Sequence, residues 1–281
     1  MWVSQSEAEA PAIERKATLV VLFERVSLKH RLTSWVSRSL NFSYTSRRGL
    51  TAGLKRKGGL GFLPGGRLTP EEEFLQKLDL RGKTIFDVGG FLGLLTLFFA
   101  SPANHVVTYE PLSESRQGIA KNLELNGFEN VTLRDVALSS EPGVLTLTFD
   151  DLMSGGASGD PEISFELAGS AAHPRFVTVP VTTIDREIAS GQPKPDLIKV
   201  DVEGMEYKVL LGMVGLLTTA KPWVYFELHG TTQEDKQTNA QDVIGTLRDL
   251  GYIVYDVERR RDIGRHETIT GIESHVWGRC K

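Results

Sequence analysis

Thr84-Ile85-Phe86-Asp87-Val88-Gly89-Gly90-Phe91-Leu92-Gly93 reads as a short buried strand, a glycine-rich turn and the start of an apolar helix from Leu94 to Ala100. Glycine carries no Cβ and tolerates positive φ, so such a turn lets the backbone approach a ligand closely. The helix that follows presents unpaired N–H groups at its start. This much predicts a small molecule, most simply a nucleotide, at the end of a first strand.

The spacing narrows the kind of nucleotide. A dinucleotide fingerprint is G-x-G-x-x-G, whereas here the glycines are Gly89, Gly90 and Gly93, with Phe91 between them. The Gly-Lys-Ser/Thr ending of a phosphate loop is missing at Gly93-Leu94-Leu95. Asp87, just before the glycines, would repel a pyrophosphate and attract an ammonium or sulfonium group. The loop therefore points to S-adenosylmethionine (SAM), with Asp87 expected to face its methionine end and Gly89, Gly90, Phe91 and Gly93 to cradle it.

A chain of 281 residues with 40% hydrophobic and 24% charged residues is ordinary for a globular protein. The net charge of −4 offers no global attraction to nucleic acid or an anionic membrane. The single cysteine, Cys280, rules out an intrachain disulfide or a cysteine-based metal cluster, which fits a cytoplasmic setting. No secretory signal is read at the start, and no apolar run is long enough for a spanning helix. Residues 1–66 are expected to form a helical and basic extension or cap, with an amphipathic stretch around Ala17–Leu28 and basic residues including Arg47, Arg48, Lys55, Arg56 and Lys57. The segment Gly53–Phe62 could fold over the site and meet an anionic acceptor, or be a solvated loop. Residues 67–281 are expected to form the main domain, opening on a helix capped by Thr69 with Pro70 at its first position.

From Thr84 onward strands and helices alternate, as in a parallel sheet with crossover helices. Strands are expected at 84–88, 105–109, 131–134, 196–200 and 222–228, and helices near 93–100, 112–126, 204–218 and 238–250. Val144–Phe149 and Phe176–Val181 alternate like hairpin strands, and Tyr252–Val257 with His275–Cys280 reads as a closing antiparallel pair. The fold class is α/β and Rossmann-like: a mostly parallel seven-stranded sheet, a closing antiparallel hairpin and an N-terminal extension.

Three further segments carry chemistry. Glu110 ends the second strand, 21 residues after Gly89, where an acid binds ribose hydroxyls of either NAD or SAM. Asp135, after the third strand, is placed to accept from an adenine amino group, with Val136 lining the ring. Asp201 and Glu203 stand at the carboxyl end of an apolar strand, where ligands bind in open sheets, and Glu206 reads as a first-turn acid complementing a helix dipole. The next strand supplies Glu227 and His229. A histidine opposite Asp201 is a natural candidate general base, because its unperturbed pKa lies near neutrality. These oxygens and one imidazole could also hold a divalent ion; the spacing does not demand one, and no metal is assigned.

Taken together the chain resembles the FkbM family of SAM-dependent methyltransferases. The resemblance rests on Phe86–Gly93, Tyr109-Glu110-Pro111, Lys121–Gly127, Val181–Asp185, Ile198–Glu206 and Phe226-Glu227-Leu228-His229, in order over residues 84–280. Family members usually carry Ala-Asn where this chain has Gly90-Phe91, which removes a polar side chain near the cofactor. The resemblance implies direct in-line methyl transfer to an acceptor, most typically oxygen on a sugar, glycolipid or natural product. Asp201 and Glu203 would sit near the sulfonium or acceptor, and His229 would take the proton. The acceptor is expected to be a small molecule or glycan, an anionic one among the candidates, with no nucleic acid: the usual Asn/Asp-Pro-Pro-Tyr/Phe motif is replaced by Asp201-Val202-Glu203-Gly204. The rival readings are a non-catalytic binding protein on the same fold and, more distantly, a NAD-linked oxidoreductase.

Overall fold

Near-continuous apolar strands need cover on both faces, and the alternating helices supply it. The computed structural model describes residues 42–58, 67–150, 157–170, 174–268 and 275–280. Along the chain the elements are β1 (Ser43–Thr45), β2 (Lys55–Lys57), α1 (Pro70–Leu75), β3 (Thr84–Val88), α2 (Leu94–Ala100), β4 (His105–Tyr109), α3 (Ser113–Asn126), β5 (Val131–Arg134) and β6 (Ala137–Leu138). They continue with β7 (Gly143–Asp150), α4 (Pro161–Ser170), β8 (Pro174–Thr182), α5 (Ile184–Ala189), β9 (Leu197–Val200), α6 (Glu206–Leu211), α7 (Val214–Thr219) and β10 (Trp223–Glu227). The last are α8 (Gln233–Asp249), β11 (Ile253–Asp256), β12 (Arg261–Ile263) and β13 (His275–Arg279).

The main sheet runs in the order β12-β11-β13-β10-β9-β3-β4-β5. Its five central and far strands pair in parallel, and β13 inserts antiparallel between β10 and β11. This is the predicted Rossmann-like α/β sheet with an antiparallel close. It has eight strands rather than seven, because the three-residue β12 pairs with the outer edge of β11. Val88, Val107, Ile198, Val200, Val224 and Phe226 are buried in one core cluster with Val209 and Leu210 of α6 and Val243, Ile244 and Leu247 of α8. The predicted hairpin of β7 and β8 forms, and β6 joins β8 in parallel to complete a separate three-stranded sheet.

The expected helix at 204–218 is two helices. Glu203 and Gly204 both have positive φ (52° and 100°), which delays the start to Glu206. Gly212 ends the first piece where a Cβ would stand 2.0 Å from the Ser139 carbonyl oxygen. The second piece is capped from a distance: the Asp185 carboxylate accepts the N–H groups of Gly215 (2.9 Å) and Leu216 (2.8 Å). The last helix begins at Gln233 rather than 238, because Thr232 and Asp235 form a capping box there.

The described part of the N-terminal extension is fastened to the domain. Asn122 and Asn126 of α3 accept the N–H groups of Lys57 (2.7 Å) and Lys55 (2.8 Å) and donate back to their carbonyls. Leu50 joins the core cluster of Leu75, Leu80 and Phe99. The predicted amphipathic stretch Ala17–Leu28 lies outside the described residues. Among the described residues, no helix is long and apolar enough to cross a membrane.

The remote cap of α7 gives a direct check. Asp185→Ala is expected to lower unfolding stability by about 1 kcal/mol, as for a lost helix cap. Urea denaturation with the slope unchanged would show it; an unchanged midpoint would refute the capping role.

Candidate functional site

The parallel strands end on one edge of the sheet, and the loops leaving them enclose a cleft of about 860 Å³, counting the space open at its mouth. Gly89, Phe91, Glu110, Val136, Asp201 and Glu203, all singled out from the sequence, line it. Tyr109, Leu138 and Met205 complete the wall, and Leu145, Leu147, Ala157 and Gly159 reach it from the smaller sheet and its flanking loop. Sequence reasoning missed this second group, because nothing local shows that the β7–β8 hairpin folds back over the sheet edge.

Close approach explains the glycines. A Cβ on Gly89, whose φ is 83°, would stand 1.8 Å from the Asp201 carbonyl oxygen. The first loop and the Asp201 loop therefore meet backbone to backbone at this point, and the Asp201 N–H donates to the Val88 carbonyl at 3.1 Å. Gly90 and Gly93 are not on the cleft wall. A Cβ on Gly90 would meet Thr108 Cγ2 at 2.5 Å, and one on Gly93 would meet Ile119 Cγ1 at 3.0 Å, so both serve packing of the loop against β4 and α3. Phe91 holds φ 44°, an uncommon conformation for a bulky residue, and its N–H donates to Glu110 Oε2 at 2.8 Å.

Glu110 is almost fully buried and also accepts the Leu112 N–H at 2.9 Å. Burial outweighs these bonds and pushes its carboxyl up to about 7. Each oxygen takes one backbone N–H, which leaves further lone pairs for a ligand in the cleft. Val136 lines the cleft, whereas Asp135 is exposed and is not among the lining residues.

Asp87 departs from its expected place. It is completely buried beneath the loop, not on the cleft wall. Its Oδ2 accepts from the Thr96 hydroxyl at 2.6 Å, and its Oδ1 lies 3.4 Å from Lys199 Nζ. Lys199, not singled out from the sequence, is 2% exposed and stands between Asp87 and Asp201, 3.2 Å from the latter. Its ammonium also donates to the Gly89 carbonyl at 2.9 Å. Burial would lower its pKa, but Asp201 and Asp87 together hold it well above the ordinary lysine range. A lysine inside the otherwise apolar Leu197–Val200 strand was the available signal.

His229 is also not the free base that was expected. Its Nδ1 lies 3.0 Å from Glu206 Oε1, and its Nε2 faces Glu227 at 3.6 Å, Glu203 at 3.7 Å and Asp201 at 3.9 Å. Burial lowers its pKa, but Glu206 and Glu227 and the other carboxylates outweigh it and push the imidazole up to about 11. An imidazole so surrounded carries its proton at neutral pH and has no lone pair with which to take another. Glu206 is more than a complement to the α6 dipole. It is fully buried and accepts from the Val202 and Gly204 N–H groups and from Asn239 Nδ2. Burial alone would raise its carboxyl, yet hydrogen bonds from His229, Gly204 and Asn239 hold it below the usual range. Burial raises the carboxyls of both Asp201 and Glu203. Of the segment Gly53–Phe62, residues 59–62 lie outside the described residues; Lys55 and Lys57 are tied to α3, and none of residues 53–58 lines the cleft.

A family model described as "Methyltransferase FkbM domain" matches residues 87–254, well over half of the chain. Among curated relatives, the hexuronic acid methyltransferase AglP of Haloferax volcanii is 30% identical over 146 residues, 52% of this chain and 55% of that protein. Methyltransferase 1 of Beauveria bassiana is 27% identical over 143 residues, 46% of this chain and 57% of the relative. The chain thus spans little more than half the length of these two relatives. Among solved structures, the methyltransferase FkbM of Methylobacillus flagellatus KT aligns with a TM-score of 0.46 at 16% identity, over 75% of this chain and 50% of the other.

The buried lysine is the site's most exposed weakness. Lys199→Met leaves Asp87 charged and unpaired, and is expected to cost about 3–5 kcal/mol, the usual effect of breaking a buried ion pair from one side. Adding Asp87→Asn should recover part of the loss in chemical denaturation. A single variant as stable as the parent would sink this account.

Proposed function

We propose that this chain, which belongs to the FkbM methyltransferase family, uses SAM to methylate a hydroxyl group on a sugar or related natural product. The observation that carries the reading is the cleft itself. It places a buried carboxylate, Glu110, at the end of the second strand and two carboxylates, Asp201 and Glu203, at the end of the fourth parallel strand. The relative AglP is named for hexuronic acid methylation, which makes a hydroxyl on an acidic sugar the first acceptor to try.

The residues present fit the donor. Glu110 retains acceptor capacity for two ribose hydroxyls, and Val136, Leu138 and Tyr109 offer an apolar wall for a purine. Asp201 and Glu203 supply negative charge for a sulfonium. When bound, SAM supplies an electrophilic methyl group and a neutral sulfide leaving group. The protein's own part is to hold the acceptor oxygen in line and exclude water, and to receive the hydroxyl proton. Glu203 is our candidate for that proton, in place of His229: Asp201 is paired with Lys199 at 3.2 Å, while Glu203 borders the cleft with no described ion pair shorter than 3.7 Å.

Three measurements test the reading. Labelled methyl transfer from SAM to hexuronates and neutral sugars should give turnover, and a folded protein that binds neither SAM nor its demethylated product would favour the non-catalytic alternative. Glu203→Gln should lower kcat by about 10²–10⁴-fold with product affinity nearly unchanged; an intact kcat would remove it as the base.

The pH dependence follows from Glu110. With its carboxyl near 7, the ionised form, the better double acceptor, fills in as pH rises from 6 to 8. Affinity for demethylated SAM should therefore strengthen up to about tenfold over that range, and calorimetry on Glu110→Gln should give a flat, weaker profile. A parent profile that is itself flat would contradict the assignment.

A further inference from the structure

Beside the cleft, the C-terminal ends of β9 and β10 meet the start of β13, because Glu227 and His275 are register partners across the antiparallel pair. Two histidines converge there on one carboxylate. His229 Nε2 lies 3.6 Å from Glu227 Oε1, and His275 Nε2 lies 3.6 Å from Glu227 Oε2. Asp201 extends the first group and Glu71, from the first turn of α1, extends the second at 3.8 Å from His275 Nε2. Within each group of three, Asp201–Glu227–His229 and Glu71–Glu227–His275, one ligand atom per residue lies within 4.8 Å of the others.

Three features go beyond a cluster of like charges. Each histidine is clamped at Nδ1 by a separate carboxylate behind it, Glu206 at 3.0 Å and Glu258 at 2.5 Å. That carboxylate–histidine pairing is the usual means of orienting an imidazole so that Nε2 faces a metal. Secondly, His275 Nε2 is buried with no hydrogen-bond partner among the described residues, and its side chain is only 11% exposed. Thirdly, the Nε2-to-carboxylate gaps of 3.6–3.9 Å are too long for N–H···O bonds. Two ligands that each stand roughly 2.0–2.2 Å from a shared tetrahedral ion lie about 3.3–3.6 Å apart, so a contraction of up to a few tenths of an ångström would close either group on an ion.

We propose that Glu227, His229 and His275, with Asp201 and Glu71, form a binding site for a divalent first-row transition metal, with Glu227 contributing an oxygen to each half. In each half one imidazole nitrogen stands beside two carboxylate oxygens, a set that suits Mn²⁺, Fe²⁺, Co²⁺ or Zn²⁺ better than Ca²⁺ or Mg²⁺. Without an ion, protons on the two imidazoles balance the same carboxylates, so metal entry displaces those protons. Asp201 belongs to both this site and the cleft wall, so a bound cation borders the space for an acceptor. That consequence rests on the proposed methyl transfer; metal binding does not.

The test uses the full chain without added histidines, stripped with chelator and titrated with Co²⁺ alone near neutral pH. We expect saturable binding of one or two ions per chain, with visible ligand-field bands, whether or not the protein turns over SAM. His229→Gln and His275→Gln should each weaken Co²⁺ binding by at least about tenfold and alter the bands. Glu258→Gln, outside the ligand set, should weaken it by roughly 10–100-fold and keeps the test open should a histidine variant fail to fold, as read by thermal melting. Absence of saturable Co²⁺ binding by the folded parent overturns the proposal, as does equal affinity in the parent and all folded variants.

Discussion

A single buried ammonium holds two of the cleft-lining loops of this protein in register. Lys199 Nζ lies between the carboxylates of Asp87 and Asp201 and donates to the carbonyl of Gly89. One cation thus ties the end of β3 to the end of β9, at the point where Gly89 has no room for a side chain. An ion pair in such a place offers little net stability, because desolvation consumes most of the Coulombic gain. Its value lies in geometry: neither carboxylate can turn away without stranding a charge.

The same logic, with histidine in place of lysine, governs the neighbouring edge of the sheet. Glu206 and Glu258 fix two imidazoles from behind, and Glu227 stands 3.6 Å from each at the front. So many acids in partial burial require compensating positive charge, and this explains why a histidine expected to act as a base is instead held as a cation. It also separates two kinds of carboxylate on the cleft wall. Asp201 gives one oxygen to Lys199 at 3.2 Å, whereas Glu203, the more exposed of the two, has no described ion pair shorter than 3.7 Å.

Much of the architecture was legible in the sequence. The β3 and β9 strands are short apolar runs, and the helix start at Thr69 carries a capping residue, whereas the helix capped by Thr183 was not foreseen. The loop glycines and Glu110 announced themselves by spacing, and six of the residues singled out do line one cleft. The errors share a cause. Asp87 lies on a strand whose residues are all buried at that end, so a carboxylate that reads as ligand-facing points into the interior. The single helix expected at 204–218 is cut where Gly212 meets Ser139, a contact distant in sequence. His275 drew attention only as part of the closing antiparallel pair, since its partner Glu227 lies on a strand separated from it by α8, β11 and β12.

By itself the sequence determined the order of elements, the parallel sheet, the glycine loop after its first parallel strand and the family to which the chain belongs. These follow from local periodicity, turn chemistry and motif spacing, which act over a few residues. The tertiary structure alone decided which acids face the cleft, which are spent on Lys199, and that the imidazoles of His229 and His275 converge on Glu227. Those outcomes depend on desolvation and on charges brought together from distant strands, and neither is written in any one segment.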